Sequence, residues 1–256
     1  MTAYAQYARF YDQANGDRTA DIERIRSVIA RYRPGAATLL ELGCGTGAML
    51  AGLTSLTGPA GHLAVTGIDR SPEMLAIAAS AAPAARLVRD DITTFALGTR
   101  FDVAICVFDT LNHLTTLASW QALFGRVREH LADGGLFVFD VNTTGRLRRL
   151  GQGMSFATDI GEHTLVMDVR PATATETGGT DRGGELSIWT VRVFERTEGD
   201  LFRLHREDIP ELGVPLAVIR DSLACHGLDV LEMTGLDGEP GTDSSSRVFV
   251  AARAGG

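Results

Sequence analysis

Leu39-Leu40-Glu41-Leu42-Gly43-Cys44-Gly45-Thr46-Gly47 is an apolar run that passes into a glycine-rich turn and then a helix-forming segment. Glycine lets the backbone adopt positive φ and approach a ligand closely. In an open α/β sheet, ligands bind beyond the carboxyl ends of the strands, which is where this turn must fall. Its spacing is G-x-G-x-G, whereas a dinucleotide turn reads G-x-G-x-x-G/A. A pyrophosphate needs a helix N-terminus aimed at it, and here Glu41 stands just before the glycines. That carboxylate disfavours an anion and suits a zwitterionic ligand with an ammonium group. Asp69, in Thr66-Gly67-Ile68-Asp69-Arg70-Ser71, follows Gly43 by 26 positions. An acid at the end of a second strand accepts hydrogen bonds from both hydroxyls of a ribose. The usual spacing is about 20, and the loop Thr54 to Gly61 takes up the difference. In Val88-Arg89-Asp90-Asp91-Ile92, a carboxylate can accept from an adenine amino group while a backbone N–H donates to the ring. The plainer alternatives are a helix-flanking acid for Asp69 and an ordinary turn for Asp90-Asp91.

His113 follows a fourth apolar segment, and an unperturbed imidazole pKa of about 6.5 suits proton removal near neutrality. It is the candidate catalytic base or positioning group; the alternative is a structural histidine in the following turn. Tyr4, Tyr7 and Tyr11 recur at i, i+3, i+7 and so share one helical face. They either close over a ligand or form an aromatic core stripe. Asn142, after the fifth strand, either touches substrate or caps the segment beginning at Thr143. His205 lies where the later insertion returns to the core and is a candidate for the pocket. Cys44, Cys106 and Cys225 are far apart and odd in number, which argues against a disulfide framework or a metal site. Arg146, Arg148 and Arg149 form the one tight basic cluster, read as a solvated loop or helix end.

The elements that must position these residues alternate. Thr19 to Arg33 has helical spacing and ends at Pro34-Gly35. Strands follow at Thr38 to Leu42, Leu63 to Ile68, Arg86 to Arg89, Phe101 to Phe108 and Leu136 to Val141. Helices are expected at Thr46 to Leu56, after Ser71-Pro72, and at Leu117 to Leu131; Ser71 is the N-cap and Pro72 the first helical residue. This order implies a parallel sheet wrapped by helices. From Gly151 to Ile209 the pattern changes to strands without helices: His163 to Arg170, Glu185 to Glu195 and Leu201 to Asp208. The Gly/Thr-rich run Ala172 to Gly184 separates two of them. This reads as an antiparallel insertion on the edge of the core. A helix at Val214 to His226 and a closing hairpin, Leu228 to Met233 with Arg247 to Ala252, complete the chain. The expected division is 1–18 as an N-terminal lid, 19–150 as the cofactor-binding core, 151–209 as the insertion and 210–256 as the rest of the core.

Together the motifs resemble class I S-adenosylmethionine-dependent methyltransferases. Glu41 to Gly47 looks like their first motif, Gly67-Ile68-Asp69 their acidic loop and Asp91-Ile92 their adenine loop. Phe101 to Cys106 resembles the strand that follows, and Leu131 to Gly135 the turn before their fifth strand. The resemblance implies a Rossmann-like α/β core, a mostly parallel seven-stranded sheet with helices on both faces, here with a small antiparallel β insertion. It implies S-adenosylmethionine held by Tyr11, Glu41, Gly43, Cys44, Gly45, Gly47, Asp69, Arg70, Met74, Asp91, Ile92, Cys106 and Val107, with S-adenosylhomocysteine as product. A narrower resemblance, in Phe108-Asp109-Thr110-Leu111-Asn112-His113 and Phe139 to Thr143, is to amino-sugar N-methyltransferases of natural-product biosynthesis. It implies substrate contacts at Tyr4, Tyr7, Phe108, Asp109, Asn112, Asn142 and His205, with His113 facing the acceptor. Methyl transfer is an in-line displacement at a sulfonium carbon. Alignment of the reactants can contribute up to about 7–11 kcal/mol, and a base is required only if the nucleophile arrives protonated. The expected acceptor is N, O or C of a small metabolite. The alternatives are a fold relative that binds the cofactor without transfer and a nicotinamide-dinucleotide oxidoreductase.

Composition bounds the partners. The chain has 256 residues, 45 % apolar, with net charge −8. That charge disfavours nucleic acid. No apolar run approaches the roughly 18 residues of a membrane span, and Met1 to Phe10 lacks a secretory pattern, so a cytoplasmic location is expected. All 24 non-histidine basic residues are arginine, which excludes lysine-based chemistry. No metal is expected; a homodimer stays open.

Overall fold

The computed structural model describes residues 7–54, 57–58, 61–177 and 183–255. Tyr4 and parts of the two expected loops lie outside these residues. A 3-10 turn, Ala8–Phe10, leads into α1 (Tyr11–Asn15) and α2 (Thr19–Tyr32). The core alternates from β1 (Thr38–Leu42) through α3 (Ala48–Thr54) and a small ribbon of β2 (Thr57–Gly58) and β3 (Gly61–His62). It continues through β4 (Ala64–Asp69), α4 (Pro72–Ala81), β5 (Arg86–Arg89) and β6 (Phe101–Cys106). A second 3-10 turn, Thr110–His113, precedes α5 (Leu117–His130), β7 (Leu131–Asn142) and α6 (Thr144–Leu150). The main sheet has the order β12-β13-β7-β6-β1-β4-β5, in which β12 (Leu228–Gly235) and β13 (Arg247–Ala254) form the terminal hairpin. The pairings among β1, β4, β5, β6 and β7 are parallel, and β13 is antiparallel to β7. This is the expected mostly parallel seven-stranded sheet.

Its central strands are apolar on both faces because both are covered. On β6, Ala104 and Cys106 face one core with Trp120, Phe124 and Leu223, whereas Val103 and Ile105 face the other with Ile25, Leu50 and Leu53. Trp120 is buried, and its indole N–H donates to the Leu114 carbonyl at 2.8 Å. Ser71 caps α4 by accepting from Met74 N–H at 3.2 Å, with Pro72 in the first turn, as its sequence implies.

The insertion is a separate four-stranded antiparallel sheet, order β11-β10-β9-β8. Its strands are β8 (Ser155–Ile160), β9 (His163–Pro171), β10 (Glu185–Arg196) and β11 (Phe202–Gly213), with the short helix α7 (Ala174–Thr177) between β9 and β10. Strand β8 is an addition to the expected set, and β11 runs on to Gly213, beyond the expected limit at Ile209. The sheet also does not lie on an edge of the core. It is fastened to the carboxyl ends of β6 and β7, near the middle of the main sheet, through Asn112 and Asn142. Helix α8 (Leu216–Cys225) then returns the chain to the core. A third hydrophobic cluster joins the inner face of the insertion, including Leu165, Val169, Trp189 and Val193, to Tyr7, Phe10 and Leu147.

Candidate active site

The turn after β1 is built as its glycines require. Gly43, Gly45 and Gly47 have φ of 72°, 51° and 80°, left-handed values that cost little only for glycine. A Cβ on Gly43 would lie 2.5 Å from the Thr110 methyl, and one on Gly47 2.9 Å from Ala78 Cβ. A Cβ on Gly45 would meet nothing within 4 Å, because that residue faces the open cleft. Asp69 holds the turn in place: its Oδ2 accepts from Gly45 N–H at 2.9 Å and its Oδ1 from Ser71 N–H at 2.8 Å. Asp91 closes a local turn by accepting from the amide and the hydroxyl of Thr93, at 2.8 and 2.6 Å.

The cleft has a wider outer end and a narrower inner end. Gly43, Gly45, Asp69, Arg70, Met74, Asp91, Ile92 and His113 line the outer end, with Tyr11 and Phe108. Glu41, Cys44 and Val107 line its narrower inner end together with Arg18, Tyr11 and Phe108. A second cavity opens beside them, between the core and the insertion sheet. Tyr7, Asp109, Asn142, Arg146, Trp189 and Glu211 line it, again with Tyr11 and Phe108. Tyr11 and Phe108 therefore stand where the cleft and the cavity meet.

Four expected site residues lie away from both. Gly47 packs α3 against α4, and Cys106 is sealed in the core. Asn112 is fully buried, and all its bonding goes to the backbone. Its Nδ2 donates to the carbonyls of Asn142 (3.0 Å) and Leu212 (2.9 Å), and its Oδ1 accepts from Asn142 N–H at 2.9 Å. It clips the insertion to the core, and its complete burial keeps it from a substrate. His205 faces Phe10 and bonds with Glu195 at 2.8 Å and Arg9 at 3.1 Å, outside the cavity. The cap of α6 is Thr143, which accepts from Arg146 N–H, so Asn142 is not the cap. Arg148 and Arg149 do sit at the surface of a short helix, paired with Glu185 and the Ser244 carbonyl. Arg146 departs from that expectation by lining the cavity.

Electrostatics distinguish the two spaces. Glu41 is 3 % exposed, and its Oε2 has no hydrogen-bond partner among the described residues. Burial, then the charge of Asp69, pushes its carboxyl well above the ordinary range, and Arg18 works against that. Burial also raises the Cys44 thiol, with Glu41 adding to the effect, so Cys44 acts as a small hydrophobe. The cleft thus contains a buried acid that a ligand's cationic group would satisfy, beneath a glycine turn open to the ligand. These features fit an ammonium-bearing ligand and not a pyrophosphate.

In the cavity, burial and then the charge of Asp140 push Asp109 up to about 6. Glu211, 3 % exposed, is raised well above the ordinary carboxyl range by burial and by Asp109. His113 is driven the other way: burial lowers its pKa to about 4, against a hydrogen bond from its ring to the Pro210 carbonyl. It is therefore neutral at physiological pH and a weak base. Among the described residues, no cluster of three or more His, Cys, Asp or Glu side chains suits a metal ion, and no helix is long and apolar enough to cross a membrane.

Sequence reasoning missed Arg18 and Glu211. The Arg18 guanidinium lies 4.1 Å from the Phe108 ring centroid and 5.6 Å from that of Tyr11. Thr46 Oγ1 donates to Asp12 at 2.7 Å and ties α1 to the glycine turn. The alternating inward pattern through Trp189 and Val191 was the available signal for the cavity wall.

Residues 39–135 match the methyltransferase domain family. Over 139 residues, about half of each chain, the sequence is 32 % identical to dTDP-3-amino-3,6-dideoxy-alpha-D-glucopyranose N,N-dimethyltransferase of Streptomyces fradiae. The fold is similar to that of an S-adenosylmethionine-dependent methyltransferase from Clostridium acetobutylicum, with TM-score 0.81, 22 % identity and the whole of both chains covered. It is also similar to the sugar N-methyltransferase KedS8 from Streptoalloteichus sp., with TM-score 0.76, 23 % identity, and 98 % of this chain and 93 % of that one covered. Fold, glycine turn and domain match agree: residues 39–135 carry a methyltransferase domain match, and the chain has the fold of the class I S-adenosylmethionine-dependent methyltransferases.

Proposed function

We propose that the protein methylates an amino nitrogen of a small, sugar-like metabolite held in the cavity between the core and the insertion sheet. The observation that carries this reading is the meeting of cleft and cavity at Tyr11 and Phe108, which lets a cofactor in one reach an acceptor in the other. Bound S-adenosylmethionine supplies an electrophilic methyl group, already activated by the sulfonium charge. Glu41 receives its ammonium group, and Arg18 is placed for its carboxylate. The Gly43 and Gly45 backbone lies against the methionine part, with Cys44 and Val107 beside it. Asp69 keeps acceptor capacity on both oxygens for ribose hydroxyls, with Arg70 and Met74 nearby. Asp91 and Ile92 flank the adenine end. Residues before α2 act as a lid, latched by Asp12 and Thr46, and the insertion acts as a substrate cap. Neutral His113 orients the acceptor by hydrogen bonding. Tyr7, Asp109 and Asn142 form the acceptor's walls.

The nitrogen acceptor is supported by the names of relatives, one of which dimethylates an amino sugar. The acidic surface argues against nucleic acid as substrate, and a metabolite substrate suits a cytoplasmic enzyme. The test is incubation with deuterated-methyl S-adenosylmethionine and either dTDP-3-amino-3,6-dideoxyglucose or a small-molecule cell extract, followed by mass spectrometry. The expected result is S-adenosylhomocysteine together with an amine carrying the labelled methyl. Label on oxygen or carbon alone would overturn the nitrogen assignment. Cofactor binding without transfer to any extract component would favour a non-transferring protein.

A further inference from the structure

The cavity wall contains an unusual pair. Asp109 and Glu211 reach it from different parts of the chain, one from the turn after β6 and the other from the last strand of the insertion. Glu211 is buried and Asp109 half-buried, and their carboxyls lie within hydrogen-bonding reach of one another. Asp109 is held there at φ 50°, directly after Phe108 at φ 59°. Two successive non-glycine residues in the left-handed region are strained and persist only where surrounding structure fixes them. Glu211 is oriented from its other side by Asn142 Nδ2, which donates to its Oε2 at 2.8 Å. In the same wall, Trp189 Nε1 and Arg146 Nε are buried and have no partner among the described residues. Such groups indicate a polar occupant, because leaving a buried donor unsatisfied is unfavourable.

We propose that the Asp109–Glu211 pair receives the acceptor's amino nitrogen, takes its proton, and makes the site selective for amines over alcohols. The inference rests on the methyltransferase reading of the cleft. Two carboxyls this close cannot both ionise at low cost, so they hold one proton and one negative charge between them. That single charge, in a buried site, attracts an ammonium group. An alcohol offers it no opposite charge. The charged and titratable groups packed around the pair are Asp140 on β7, Arg247 on β13, Arg146 on α6 and Tyr11 on α1. The arginines keep the pair from taking up a second proton without a ligand, and Asp140 opposes them.

The chemistry balances. The acceptor arrives as an ammonium and gives one proton to the pair, which then carries two. The freed nitrogen lone pair forms the N–C bond while the C–S bond breaks, and its electrons remain on sulfur as a thioether. The product leaves as a methylated ammonium, and the pair returns its extra proton to water. His113, whose basicity is suppressed by burial, is not required as the proton acceptor.

The test uses the full chain loaded with S-adenosylhomocysteine, with carboxyl-¹³C-labelled Asp and Glu. Cyclohexylamine and cyclohexanol, matched in shape, are titrated and followed by NMR. In the wild type the amine binds at least about tenfold more tightly than the alcohol and shifts both the Asp109 and Glu211 carboxyl signals. The preference declines below about pH 6, as the pair takes a second proton. In Glu211→Gln it falls to within about twofold, while affinity for S-adenosylhomocysteine is retained. Asp109→Asn serves as the second variant, since asparagine tolerates the left-handed backbone, and it behaves likewise. Retained cofactor binding with no amine preference in the wild type, or a preference that survives in both variants, overturns this proposal alone. Failure of the wild type to bind S-adenosylhomocysteine overturns the reading of the cleft and this proposal together.

Discussion

Glu41→Gln is expected to move ligand affinity and protein stability in opposite directions. The carboxyl is 3 % exposed, one of its oxygens lacks a partner among the described residues, and Asp69 adds like-charge repulsion. A charge-assisted bond from such a group to a ligand ammonium contributes about 1.5–3 kcal/mol. Its loss therefore weakens S-adenosylmethionine by about 10- to 150-fold. Without ligand, the same group is a liability. Its folded-state pKa is raised, so whatever stability it confers is present below the unfolded-state pKa and lost as pH rises through the folded value. Glutamine removes that loss. The apo variant is thus as stable as wild type near pH 4 and more stable near pH 8. Each kcal/mol gained raises the melting temperature by about 2–4 °C in a chain of this size. Calorimetric titration and thermal scans across pH measure both quantities. An affinity within about twofold of wild type would refute the assignment of Glu41 to the ligand ammonium. A melting temperature that falls along with affinity at pH 8 would show that the substitution damages the turn instead.

Two other outcomes follow from the geometry. Asn112→Ala deletes three buried hydrogen bonds and leaves three backbone groups unsatisfied, which should cost about 3–5 kcal/mol in urea denaturation; a loss below about 1 kcal/mol would mean that this clip does not hold the insertion to the core. His113→Ala should lower turnover about tenfold with cofactor affinity nearly intact. Because its pKa is lowered to about 4, the wild-type pH–rate profile should show no limb from His113 above about pH 5, and a limb near pH 6.5 that vanishes in the variant would restore it as the base.

What the sequence disclosed was the part governed by local backbone demands. Gly43, Gly45 and Gly47 occupy conformations open mainly to glycine, so their spacing specified the turn directly. Ser71-Pro72 marked a helix start, and the covered central strands showed as continuous apolar runs. The end of the cleft proposed to hold the cofactor lies on those elements and was legible with them. Asn112 and His205 were misplaced for a different reason. Nearness to an active end in sequence does not say which way a side chain points, and both are consumed by protein partners.

The cavity proposed to hold the acceptor was hidden because its position depends on how the insertion folds back. Strand β8 is an exposed edge with only Ile160 buried, so it lacks the alternating apolar pattern that announces a half-buried strand. Pro210 was the more consequential obstacle. A proline normally ends a strand because it has no N–H for the ladder. Here it pairs opposite Ile188 on β11, which is an edge strand of its sheet, where the missing donor is tolerated. Reading the strand as ending at Asp208 cut off Glu211, whose partner Asp109 lies 102 positions earlier. No local pattern joins those two acids. They meet only because the insertion is clipped across the ends of β6 and β7, and Phe108 and Asp109 take up a conformation that propensity disfavours. The proposed cofactor site is therefore encoded locally, whereas the proposed acceptor site is a property of the assembled fold.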